Sequence, residues 1–143
     1  MAEPRIGGGP GNTSPEYQTK SVLLAGSAIT KGQVVAIDTS ATSTAIGYTV
    51  VPAASGAAGT ACVVGVALEA IASGGWGEIC TGGYCATVNT DGSVAAGEYL
   101  VAHTVAGECD TMAEGEEAQV FGWATAGDVD TVDTVVAFIF RRM

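Results

Sequence analysis

The stretch Ala28-Ile29-Thr30-Lys31-Gly32-Gln33-Val34-Val35-Ala36 returns later in the chain as Ser93-Val94-Ala95-Ala96-Gly97-Glu98-Tyr99-Leu100-Val101. Both copies run apolar, two residues, glycine, two residues, apolar. After a loop each leads to a similar strand, Val63-Val64-Gly65-Val66-Ala67 in the first half and Val120-Phe121-Gly122-Trp123-Ala124 in the second. Each half then ends in another apolar run, at Trp76–Cys80 and at Val135–Phe140. Three elements kept in order point to a duplicated β-architecture rather than to chance likeness among Gly- and Val-rich strands. Trp76 and Trp123 fall at corresponding places in this scheme, where core filling and interface anchoring both suit a Trp.

The rest of the chain fits the same plan. Ser21–Ala25, Gln33–Asp38, Ala45–Val51 (stopped by Pro52), Ala61–Ala70, Tyr84–Val88, Glu98–Ala102, Ala118–Ala124 and Thr134–Phe140 are short and mostly β-branched or aromatic. Gly, Ser, Asp or Asn separates them, the pattern of an all-β sandwich or barrel. At most one short helix is expected, at Val66–Ala72 or Ala113–Gln119. Cys80-Thr81-Gly82-Gly83-Tyr84-Cys85 reads as a Gly-Gly hairpin between two strands, a geometry that could bring two thiols close enough to bridge.

Composition sets what the domain can be. The chain has 143 residues, 21 of them glycine, and a formal net charge of −10. Hydrophobic residues make up 48%, but 24 residues are alanine, so each buried side chain contributes little. The single core is therefore thin, and assembly with a partner adds to its stability. The basic residues are Arg5, Lys20, Lys31, Arg141 and Arg142; from Gly32 to Phe140 there is none, against 13 carboxylates. No basic stripe exists to neutralise phosphates, which argues against nucleic acid and against an anionic membrane surface. The uncharged stretch Thr39–Leu68 is too rich in Gly, Ser and Thr to be a membrane span. Without cations the body has no intrachain salt bridges to draw on.

Residues 1–19 are of another material. Gly7-Gly8-Gly9-Pro10-Gly11-Asn12-Thr13-Ser14-Pro15 cannot bury a core and reads as a flexible or extended arm, followed by one β-domain over 20–143. No apolar signal segment follows Met1, so synthesis in a reducing cytoplasm is expected, with Cys62, Cys80, Cys85 and Cys109 as thiols. A bare tail accounts for the composition. The alternative is an arm that orders on a partner, Ile6 and Tyr17 supplying apolar contacts and Arg5 and Lys20 charged ones.

Chemistry finds little support. His103 is the only histidine, and it follows a strand in the manner of a surface residue. No nucleophile elbow, zinc-protease helix or phosphate loop occurs. The cysteines lack zinc-site spacing, and Asp128-Val129-Asp130-Thr131-Val132-Asp133 lacks that of a calcium loop. No catalytic residue, cofactor or metal is therefore assigned, and the chain is not expected to be an enzyme.

The runs Leu24–Ile37, Val63–Ala67 and Gly77-Glu78-Ile79-Cys80-Thr81-Gly82-Gly83 resemble those of the capsid decoration, or cement, proteins of tailed bacteriophages, over roughly residues 20–140. Four cysteines depart from the usual pattern and leave their role open. The resemblance implies a small β-tulip-like barrel, assembled as a homotrimer on the outer surface of an expanded head and bound to the major capsid protein. It implies a virion protein that stabilises the shell, made in the host cytoplasm. Arg5, Lys20, Arg141 and Arg142 are then expected on the shell-facing or inter-subunit side. Competing readings are a carbohydrate-binding or adhesin module, which needs exposed aromatics on one face, a virion tail component, and a small hydrolase using His103 with Cys109 or Asp110.

Overall fold

The computed structural model describes residues 18–42, 45, 47–55, 63–127 and 133–140. They form nine strands: β1 (Gln18–Ala25), β2 (Val34–Ile37), β3 (Thr49–Pro52), β4 (Val63–Ala67), β5 (Trp76–Asn89), β6 (Tyr99–Ala102), β7 (Cys109–Thr111), β8 (Gly122–Ala126) and β9 (Thr134–Ile139). The protein is all-β, as its alternating short runs dictate. A 3-10 turn lies at Glu117–Gln119, within the second of the two expected places. Val66–Ala72 forms no helix; Val66 and Ala67 close β4. Among the described residues no helix is long and apolar enough to cross a membrane.

The strands follow the order β1-β3-β2-β4-β5-β9-β8-β6-β7, and β1 also pairs with β5. β1, β3, β2, β4 and the first half of β5 thus close on themselves as a five-stranded barrel. The remainder repeats it, strand for strand. Val34↔Val66 and Val35↔Gly65 in the first unit become Tyr99↔Trp123 and Leu100↔Gly122 in the second. Val35↔Pro52, Ala36↔Val51 and Ile37↔Val50 become Leu100↔Thr111, Val101↔Asp110 and Ala102↔Cys109. The parallel pair Ala25↔Val50 becomes the parallel bridge Thr90↔Cys109. The second half of β5 therefore takes in the second unit the part that β1 takes in the first, and β5 serves both.

The repeated sequence explains the repeated turn. Gly32 and Gly97 both sit at a φ of 89°, where a glycine avoids the Cβ strain of other residues. Each donates its N–H to the carbonyl of an equivalent residue, Ala67 on β4 or Ala124 on β8, at 2.8 Å. The residue after each glycine braces the turn by accepting a backbone N–H: Gln33 Oε1 from Thr30 at 2.9 Å, and Glu98 Oε2 from Ala95 at 2.7 Å.

Two clusters fill the interior. Leu23, Ala25, Ile29, Val35, Val50, Val64, Ala67, Ile71 and Ile79 form the first. The second contains their counterparts Val88, Val94, Leu100, Cys109, Phe121 and Ala124. It also takes in Val34, Ala36, Val63, Val66 and Cys80 from the outward side of the first barrel. The second unit thus covers one wall of the first.

Four sequence expectations change. Trp76–Cys80 and Tyr84–Val88 are not two arms of a hairpin but one strand of 14 residues. Gly83, at a φ of 82°, redirects the strand without reversing it, because each half has its own partner: β1 for the first, β9 for the second. Trp76 and Trp123 do not correspond, since Trp76 pairs with Leu24 whereas Trp123 matches Val66. The third strand ends at Pro52, as expected, but begins at Thr49 rather than at Ala45. The body also uses one cation, because Lys20 reaches Glu78 at 3.5 Å. Both side chains are nearly half exposed, so the pair contributes little.

Candidate functional site

A row of aromatic side chains crosses four neighbouring strands. Tyr99 on β6 stands opposite Trp123 on β8, Trp123 opposite Phe138 on β9, and Phe138 opposite Tyr84 on β5. Directly opposed residues point to the same face of a sheet, so the four share one surface. Trp123 stacks on Phe138 with ring centroids 5.0 Å apart, and Phe140 meets Trp123 edge-on at 5.4 Å. Tyr99, Trp123 and Phe138 keep 50%, 37% and 39% of their surface in solvent. Beside them Tyr99, Met112, Glu117, Val120 and Phe140 line an apolar hollow of about 340 Å³. Large apolar side chains grouped on a surface mark interaction sites, whereas single ones need no explanation.

At its Tyr84 end the row runs into a cavity of about 270 Å³ that contains both lysines of the chain, Lys20 and Lys31, with Gln18, Leu68 and Glu78. The Gln18 side-chain amide donates to the Tyr84 carbonyl at 2.9 Å. Gly83, next to Tyr84, pairs with Gln18 on one side and with Ile139 on the other. The first described residue and the last strand of the chain therefore meet one residue away from the aromatic row.

Of the residues singled out from sequence, Lys20 lies here, on β1. Arg5, Ile6, Tyr17, Arg141 and Arg142 lie outside the described residues, as do Cys62, Gly7–Gly11 and most of Asp128–Asp133. Tyr84, Tyr99, Phe138 and Phe140 were not singled out. Strand alternation alone sends Phe121 inward and Trp123 outward, but the lining up of four strands is set by pairing across the sheet. A second, smaller exposed group is Trp76, 5.5 Å from Tyr48 and stacked on it.

Cys80, Cys85 and Cys109 are buried thiols. A hydrogen bond between the two β5 thiols pushes Cys85 above the ordinary thiol range, with burial adding to it, and holds Cys80 below that range. No disulfide joins them. His103 is half-buried, its Nδ1 3.5 Å from Glu108. One donor atom each from Asp91, His103 and Asp110 lies within 4.8 Å of the others, the donor set by which a divalent first-row ion is held. Asp91 and Asp110 are each also engaged by neighbouring backbone N–H groups, from Ser93 at 3.1 Å and Thr111 at 2.7 Å.

No family model matches the chain, and no match is found among the curated proteins. Among solved structures, it is similar to the head fiber gp8.5 N base of bacteriophage phi29. The TM-score is 0.57 at 17% sequence identity, over 85% of this chain and 93% of that one. The likeness is one of fold.

Proposed function

We propose that this protein is a non-enzymatic structural component of a tailed-phage head, bound to the outer surface of the shell as a small oligomer, a trimer, and stabilising that shell. One observation carries this reading: Lys20 and Lys31 line one cavity, beside Gly83, which pairs with Gln18 on one side and with Ile139 on the other. Both described lysines thus lie in one region of a body that is otherwise acidic. Such segregation favours docking on an acidic patch of a capsid protein while like charge keeps the remaining surface soluble. The fold shared with a head-fiber base supports a place on the virion. Synthesis in the host cytoplasm accords with the buried, unbridged thiols of β5.

The test is co-sedimentation with mature and with unexpanded heads. Saturable binding to mature heads, weakened by salt and by the double variant Arg141→Glu, Arg142→Glu, is the expected result. Equal, unsaturated recovery with either shell removes the proposal. A second reading, a carbohydrate-binding module, draws on the exposed rings of Tyr99, Trp123 and Phe138, which suit stacking on sugars. A glycan array separates the two: binding that Trp123→Ala abolishes favours the module.

A further inference from the structure

The duplication relates the aromatic row to a surface whose covering is known. In the first unit, Val34, Val66 and Cys80 form a row across β2, β4 and β5. In the second unit, the same register positions are held by Tyr99, Trp123 and Phe138. The two rows occupy the same wall of the same barrel, yet their fates differ. Val34, Val66 and Cys80 are each 0% exposed, because the second unit packs over them. Backbone bonds seal that contact: Val34 N–H donates to the Gly107 carbonyl at 2.9 Å, and Gly107 N–H to the Ala53 carbonyl at 2.7 Å. Among the described residues nothing covers the equivalent wall of the second unit, which carries three rings in solvent.

We infer that this wall seats a second copy of the chain, stacked head to tail as the second unit stacks on the first. The inference rests on the oligomeric reading above and names the surface it uses. The substitutions follow its logic. Small residues suit the intrachain wall, where the covering unit is covalently attached. The open wall carries a Trp and a Tyr, the side chains that anchor association between separate molecules. A head-to-tail contact uses two different surfaces, so it closes into a ring of three or more copies or continues as a fibre.

The experiment is light-scattering mass determination and native mass spectrometry on the untagged full-length chain, across micromolar concentrations. The wild type is expected as a species of three or more copies of the 14.2 kDa chain. Trp123→Glu and, separately, Tyr99→Glu should return it to single copies with an unchanged circular-dichroism spectrum and melting temperature. Trp76→Glu should weaken assembly too, because Trp76 pairs with Leu24 and stacks on Tyr48, the register positions that Asn89 and Gly107 hold in the covering unit. A monomeric wild type, a species that stops at two copies, or assembly that survives both Trp123→Glu and Tyr99→Glu overturns the inference. Assembly that behaves as expected while mature heads go unbound supports the surface and removes the head-binding reading instead.

Discussion

Two glycines show how closely single residues hold this fold. A Cβ on Gly65 would fall on the Cys80 carbonyl, and one on Gly122 would fall on the Phe138 carbonyl. These are equivalent places in the two units, where paired backbones approach too closely for a side chain. Gly65→Ala and Gly122→Ala should each destabilise by about 1–3 kcal/mol, read from denaturant midpoints, because backbone rather than a flexible tip must move. The glycines were visible in sequence as the centres of Val-Val-Gly-Val-Ala and Val-Phe-Gly-Trp-Ala; the carbonyls they face belong to strands far along the chain. Asp38 shows the same limit on a smaller scale. Its carboxyl is held below the ordinary range, first by the Ser40 hydroxyl and then by the Ser40 N–H. A depressed folded pKa adds stability above the unfolded carboxyl range, near ~3.9, and loses it as pH falls through the folded value. Ser40→Ala should therefore raise the Asp38 pKa in an NMR titration and cost a little stability at pH 7, a cost that shrinks as pH falls through the folded value. Being exposed, the group sets only a small effect.

Strands were legible where alternation and turn residues agreed, and misread where a glycine pair had two meanings. Gly82-Gly83 suits a tight hairpin as well as a bent strand, and only the need of each half of β5 for a different partner decides between them. The repeat is the opposite case: its apolar-Gly-apolar pattern encodes one turn, braced in each unit by the residue after the glycine. Gln33→Ala and Glu98→Ala remove equivalent hydrogen bonds, and each should cost about 0.5–1.5 kcal/mol in thermal or chemical unfolding. The β5 thiols are a third matter of elements. With Cys80 and Cys85 at 0% and 1% exposure, alkylation at neutral pH should leave both unmodified in the folded chain and modify both in denaturant, as counted by mass spectrometry.

At the level of the whole molecule, the charge imbalance acquires a direction. Sequence alone separates five cations from an acidic body; the fold gathers Lys20 and Lys31 on one cavity beside Gly83, which pairs with Gln18 and with Ile139. The aromatic wall, by contrast, was hidden in sequence, because Tyr84, Tyr99, Trp123 and Phe138 are far apart along the chain and meet only through pairing. Removal of residues 1–17 should weaken head binding at least tenfold while shifting the melting temperature of the isolated protein little, since β1 from Gln18 onward is kept whole. An unchanged affinity would remove the arm from the docking surface. The most direct test of the central claim is a cryo-electron microscopy map of mature heads saturated with the protein. The account predicts density on the outside of the shell, with Lys20 and the two chain ends against the capsid protein. Saturated heads that carry no such density, or copies whose chain ends all face bulk solvent, would contradict it.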